Sequence, residues 1–315
     1  MRRFDRVVLV AALAASPSSL LLSQSPDAAQ VLAAAREALG GDRKLAAVRT
    51  FVATGRTRQL RGNNLVPIEF EIDCELPDKF IRHEDFPAQD TDPTTVGFNA
   101  DALIQIPPAP PAPAAQPAGR GGGRGGGPPR VVTVKQDFAR LTLGMFAASF
   151  SGYPLAFKYA AQAEAPEGKA DVLDVSGPAN FAARFVVQRE THRPVMLMWQ
   201  IPAANVVLRI PGQPAAGPLP PGAVVVDAPA PPASAASQAD RDQYAATIAN
   251  LRRQALAQAK PIEHRIYYAD FRNVDGLKLP FRIRHAVGGE TIEETTFDQF
   301  KINAKIDPRT FEAAK

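Results

Sequence analysis

Val66-Pro67-Ile68-Glu69-Phe70-Glu71-Ile72-Asp73-Cys74-Glu75-Leu76 is the stretch that decides the fold class. Val66, Ile68, Phe70, Ile72, Cys74 and Leu76 alternate with Pro67, Glu69, Glu71, Asp73 and Glu75. A period of two sustained this long makes a strand with one buried face and one acidic, solvated face. Cys74 falls on the inner face, where a lone thiol behaves as a small core residue. The same alternation returns at Leu277, Leu279, Phe281 and Ile283 against Lys278, Pro280, Arg282 and Arg284. Pro280 cannot donate to a ladder, so this second strand is expected at an edge or a bulge.

Working outward, further strands are predicted at 50–60, 79–86, 93–98, 102–106, 155–164, 170–176, 181–189, 194–201, 204–210, 262–272 and 290–300. Gly62-Asn63-Asn64, Pro77-Asp78, Glu190-Thr191-His192-Arg193, Asn273-Val274-Asp275-Gly276 and Gly288-Gly289 separate several of them. Strands joined by connections this short are antiparallel neighbours. Helices are few. One is expected over 26–39, with Ser25 as cap and Gly40-Gly41 as stop, and a short one after Asp42. Phe138, Leu141, Met145 and Phe146 share a helical stripe within 135–149, and 237–260 is the longest helical segment. The expectation is a mainly β (α+β) chain: a half-open antiparallel β-barrel, or strongly curved sheet, closed by a few helices.

Two tracts interrupt this pattern. Residues 107–130 hold eight prolines and seven glycines, and residues 211–236 hold eight prolines among many alanines. Such compositions bury too little apolar surface to offset their ordering entropy, so both are expected to be insertions without regular structure. Insertions of this kind cost little in loop closure, which leaves 26–315 as a single domain. Arg120, Arg124 and Arg130 lack the interleaved aromatics of a nucleic-acid-binding segment.

Residues 1–25 run from a basic start through an apolar stretch to small residues, the order of a secretory signal peptide. Ser16-Pro17 breaks that stretch far short of the roughly 20 apolar residues a membrane span needs. The expected product is exported, periplasmic and soluble, not an integral membrane protein. The net charge is only +4 over 315 residues, so the sequence suggests no nucleic-acid partner. One cysteine excludes an internal disulfide and any multi-cysteine metal centre.

No catalytic constellation, cofactor motif or metal site is found. His83 and Glu84 fall on opposite faces of a strand, and His264 and His285 read as lone rings on strands. Gly-x-Ser-x-Gly is absent, and Gly121–Gly127 lacks a following Lys-Ser/Thr. The suggestive feature is apolar. Val195, Met196, Leu197, Met198, Trp199 and Ile201 lack alternation, so their strand is covered on both sides. Met196 and Met198 beside Trp199, with Phe281 and with Phe138, Met145 and Phe146 of the helix, are the candidate lining of an apolar cavity.

Several motifs resemble a family. They are Leu45-Ala46-Ala47-Val48-Arg49-Thr50-Phe51-Val52-Ala53-Thr54-Gly55, Leu76-Pro77-Asp78-Lys79-Phe80 and Arg189-Glu190-Thr191-His192-Arg193-Pro194. Val172-Leu173-Asp174-Val175, Tyr268-Ala269-Asp270-Phe271-Arg272, Gly276-Leu277-Lys278-Leu279-Pro280, Ile302-Asn303 and Ile306-Asp307-Pro308-Arg309-Thr310-Phe311 join them. Together they resemble the outer-membrane lipoprotein-sorting proteins (LolA/LolB-like), of which this chain is similar to a divergent exported member. The resemblance implies a half-open barrel sheltering acyl chains or a lipoprotein, without enzymatic activity. Leu76 stands where the carriers have a basic residue, and Asn99-Ala100-Asp101 replaces their Asp-Gly turn. The alternative on the same fold is a ligand-free module that binds an envelope protein partner, with the proline-rich tracts as spacers or recognition segments.

Overall fold

The computed structural model describes residues 27–62, 64–108, 129–165, 168–203, 206–211, 219 and 223–312. The expected signal peptide, Ser25 and most of the 107–130 tract lie outside the described residues. Helix α1 (Ala28–Ala38) is capped by Asp27, which forms a capping box with Gln30. It stops at Leu39, where Gly40 and Gly41 take φ of 132° and 93°. Gly40 is irreplaceable there: a Cβ would stand 2.6 Å from the Gly276 carbonyl oxygen. Asp42, expected as a cap, is instead the first residue of α2 (Asp42–Ala46).

Five strands follow: β1 (Thr50–Arg61), β2 (Asn64–Glu75), β3 (Lys79–Asp85), β4 (Thr94–Asn99) and β5 (Ala102–Ile106). Helix α3 (Arg130–Phe146) starts five residues before the expected 135 and ends with Ala147 in the left-handed region. Next come β6 (Ala156–Ala165), β7 (Gly168–Gly177), β8 (Phe181–Gln188), β9 (Pro194–Ile201), β10 (Val206–Arg209) and β11 (Val224–Asp227). Helix α4 (Gln238–Gln258), then β12 (Ile262–Val274), β13 (Leu277–Val287), β14 (Glu290–Ile302) and a 3-10 turn at Pro308–Phe311 complete the chain.

Twelve strands form one open antiparallel sheet in the order β5-β4-β3-β2-β1-β14-β13-β12-β9-β8-β7-β6. The meander holds, with two joins between strands distant in sequence, β1 with β14 and β9 with β12. Asn303 secures the first join. Its side chain accepts from Arg49 N (2.7 Å) and donates to Ala47 O (3.2 Å), and its own N–H donates to Thr50 O (2.8 Å).

Three expectations need correcting. The strand over 204–210 is not part of the meander, and 211–236 is not devoid of regular structure. Val206–Arg209 pairs in parallel with Val224–Asp227 in a separate sheet, clamped by Arg209 Nε donating to Asp227 at 2.5 Å. Three successive valines supply enough β propensity for this despite the surrounding prolines. The Pro280 strand is not at an edge, because β13 lies between β12 and β14. Pro280 pairs with Phe271 where the β12 register skips Asp270 (φ 55°), an irregularity in keeping with the bulge that was the other expectation, and the β14 register begins only at Arg282.

The inner face carries the main core. Phe51, Phe70, Ile72, Cys74, Phe80 and Phe98 from the first strands meet Leu173, Phe185, Leu197, Tyr268 and Leu279 from the others. The alternation in β2 is as read, except that Asp73 on the outer face is buried. There it lies 3.9 Å from His83, and burial raises its carboxyl pKa. Helices α1 and α3 pack on the inner face, and α3 touches β4, β5, β9 and β13. Its last turns are buried nearly all round. None of the described residues of α4 is buried, so this helix covers no core.

The seating of α3 depends on Tyr268. A Cβ on Gly144 would lie 2.2 Å from the Tyr268 ring, and the buried hydroxyl donates to Arg140 O at 2.6 Å. Glycine costs a helix interior about 1 kcal/mol relative to alanine; here it allows the close approach. Gly144→Ala is expected to destabilise by about 1–3 kcal/mol through overpacking. Tyr268→Phe should cost about 1 kcal/mol for the lost hydrogen bond. Urea unfolding measures both, and a Tyr268→Leu background should relieve the Gly144→Ala defect. Cys74 is buried with its thiol pKa pushed well up. It should resist a thiol reagent in native buffer and react at once in denaturant; fast native labelling would contradict the register.

Candidate functional site

Between α3 and the concave face lies a cavity of about 340 Å3. Val134 and Leu141 from α3 face Ile72, Phe80, Val96, Ile266, Ile283 and Phe297 from the sheet. Alternation explains the set: each is an inward position on its strand. The volume falls at the low end of small-molecule pockets, enough for one slender apolar ligand.

The cavity is not uniformly apolar. Arg82, Glu84, Asp137, Arg140, His285, Glu293 and Thr295 also reach it. Arg82 donates to Glu84 at 2.7 Å and lies over the Phe70 ring at 4.4 Å. Arg140 donates to Asp137 at 2.7 Å, and Glu293 accepts from Gln59 at 3.1 Å. The Asp137 side chain is itself largely exposed, at the rim of this space.

Of the residues chosen from the sequence, Trp199 lines this cavity. Phe138, Met145, Phe146 and Phe281 share its core cluster but are packed against protein. Phe138 touches the Phe80, Phe98 and Phe150 rings, and Phe281 touches Phe300 beneath the Arg272 guanidinium. Met196 and Met198 lie on the opposite face of β9 from Trp199. Met196 packs on an outer cluster of Ala170, Val172 and Val186, and Met198 lines an outer groove with Arg184, Gln200 and Glu263.

The two histidines read as lone rings are not alone. His264 Nδ1 and His285 Nε2 are 3.1 Å apart, so the pair shares one proton. Both rings stack near Trp199, at centroid distances of 5.2 and 5.5 Å, and the Arg140 guanidinium sits over the indole at 4.4 Å. Reflecting β12 onto β13 about the Asp275-Gly276 turn places His264 opposite Val287 and His285 opposite Ile266, diagonal neighbours on one face. The sequence held that signal; searching within single strands missed it.

His83, Glu84 and Asp85 do not converge. His83 bonds Thr95 on the outer side (2.7 Å), while Glu84 points into the cavity. Among the described residues no group of three or more His, Cys, Asp or Glu side chains could hold a metal ion, and no helix is long and apolar enough to cross a membrane.

No family model matches the chain, and no curated protein matches it. Solved structures do. The chain is similar to a LolA superfamily protein from Nitrosomonas europaea, at 11% identity and a TM-score of 0.49, over 91% of this chain and 98% of that one. It is similar to a DUF1329 family protein from Desulfovibrio piger at 6% identity and TM-score 0.43, over 91% and 98%. A putative outer membrane lipoprotein-sorting protein domain from Vibrio parahaemolyticus is similar at 8% identity and TM-score 0.43, over 90% and 97%.

The histidine pair sets a pH dependence. Both rings have pKa values lowered from 6.5 to about 4, by burial first; Arg140 adds to this for both, and His285 adds to it for His264. Below pH 6.5 the unfolded chain takes up protons that the folded pair refuses until about pH 4. The stability contributed by the neutral pair is therefore complete above pH 6.5 and lost as pH falls through that window. Asp73, with a raised pKa, acts in the opposite sense. A His264→Gln/His285→Gln variant should show a flatter fall in urea midpoint from pH 6.5 to 4 than the parent; parallel curves would exclude the pair as the cause.

Proposed function

We propose that this chain is a carrier-type binding protein that shelters the apolar chain of an amphiphile beneath α3, without chemistry of its own. The observation that carries this reading is the cavity of about 340 Å3, lined by ten aliphatic and aromatic residues and roofed by one helix. Transfer of apolar surface from water gains about 25 cal/mol per Å2, so about 200 Å2 of hydrocarbon supplies about 5 kcal/mol before the cost of association. The lipoprotein-sorting resemblance of the motifs supports an acyl chain as the occupant. The basic, apolar and small-residue order of 1–25 supports work outside the cytoplasm, in the periplasm.

Saturable binding of a fluorescent acyl probe to the full chain tests the reading. Leu141 is half-buried and faces the cavity from α3. Leu141→Trp should fill the space and weaken probe binding at least about tenfold, which is about 1.4 kcal/mol, with little change in unfolding midpoint. An equivalent substitution at Met198, on the outer face, should leave binding unchanged. Absence of saturable binding to the parent would remove the carrier reading and favour the ligand-free envelope module.

A further inference from the structure

Strand register collects the polar residues of the cavity at one end. On β14 the inward positions run Glu293, Thr295, Phe297, and on β13 they run His285, Ile283, Phe281. On β12 His264 precedes Ile266 and Tyr268, and on β1 Gln59 and Thr57 stand above the buried Ala53 and Phe51. Glu293 is paired with Gln59 on one side and His285 on the other, so these series start from the same edge of the sheet. Inward positions on a strand lie about 7 Å apart, so polar side chains give way to aliphatic and aromatic ones within about 13 Å.

The apolar end is closed. Helices α1 and α2 pack against it, with Leu39 O accepting from Lys278 N at 2.8 Å and Asn303 tying Ala47 and Arg49 to the end of β14. Phe51, Leu277 and Leu279 are buried there. Gln59, Arg82, Glu84, His285 and Glu293 are only half-buried, so the cavity meets water through a polar collar.

The charges of the collar decide which head group it holds. Arg82 is engaged: Nε donates to Glu84 at 2.7 Å, and Nη2 donates at 3.2 Å to Thr57, whose hydroxyl is bonded to that of Thr295 at 2.8 Å. Arg140 is engaged by Asp137 at 2.7 Å. The His264–His285 pair stays uncharged down to about pH 4 and adds no cation at neutral pH. Glu293 differs from the other two carboxylates. Its Oε2 accepts from the Gln59 amide at 3.1 Å, and among the described residues it forms no ion pair. The lining therefore sets two guanidiniums against three carboxylates, and the carboxylate in excess stands at the collar. An ammonium donates charge-assisted hydrogen bonds to such a group, whereas a further carboxylate is repelled by it.

We propose that the cavity takes a single-chain amphiphile tail first and that Glu293 holds its primary ammonium head at the collar. This rests on the apolar-chain reading above and adds to it an orientation and a head-group class.

Four ligands with a ten-carbon chain separate the possibilities: decylammonium, the uncharged decyl glycerol ether, decanoate and 1,10-diaminodecane, which is charged at both ends. Each displaces the acyl probe from the full chain at pH 8 and low salt. Decylammonium is expected to bind about fivefold tighter than the ether, the scale of one partly exposed ion pair, and decanoate more weakly than either. The diamine should bind at least about tenfold more weakly than decylammonium, because its second charge finds no partner at the apolar end. Glu293→Gln keeps the shape of the side chain; it should abolish the preference for decylammonium over the ether and leave ether affinity unchanged. Glu294→Gln, on the outer face where Glu294 pairs with Arg282, should leave all four affinities as they are. Decanoate or ether binding as tightly as decylammonium, a preference that survives Glu293→Gln, or a diamine that binds as tightly as decylammonium each overturns the assignment, and saturable binding of the ether then leaves the apolar-cavity reading standing. Binding of none of the four, nor of the probe, removes both readings.

Discussion

The contact between Tyr268 and α3 governs the interior of this protein. One ring lies where Gly144 has no side chain, and its hydroxyl bonds the carbonyl of Arg140 a turn earlier. Two contacts a turn apart hold the helix at a set height above β12. Its last two turns, from Phe138 to Phe146, are pressed into the core. The face bearing Val134, Asp137 and Leu141 lines open volume instead. The cavity therefore results from how one helix is propped on a curved sheet, since side chains inside a close-packed core leave few voids of that size.

Burial shapes the chemistry of that space. His264 and His285 are pushed toward their neutral forms by loss of water, and the phenol of Tyr268 is held protonated. Most of the charges that remain are paired at short range, Arg82 with Glu84 and Arg140 with Asp137. Such pairs are weak stabilisers, because desolvation offsets most of their attraction.

The outer face has a different task. Ile81 and Ile104 are covered by Phe311 of the terminal 3-10 turn, while Met196 closes over Ala170, Val172 and Val186. Both faces of several strands are thus covered. This explains why β9 shows no alternation and why its methionines fall outside the cavity that Trp199 lines.

Much of the fold was legible in the chain because its determinants are local. Period-two alternation, short polar turns and the Gly40-Gly41 stop depend on neighbours in sequence, and they placed most strands of the sheet and the inward direction of Cys74. The Asp27 cap and the α3 start at Arg130 were misplaced and the Val224–Asp227 strand was not expected, since the surrounding proline- and alanine-rich sequence masks the local signal. The site was less legible. Trp199 was found because it is a bulky residue on an apolar strand. The His264–His285 pair, the Arg140 stack and the Gly144–Tyr268 contact join residues 21, 59 and 124 or more positions apart. Such contacts exist only once strand register and helix height are set, and those follow from the packing of the whole sheet, which no single segment encodes.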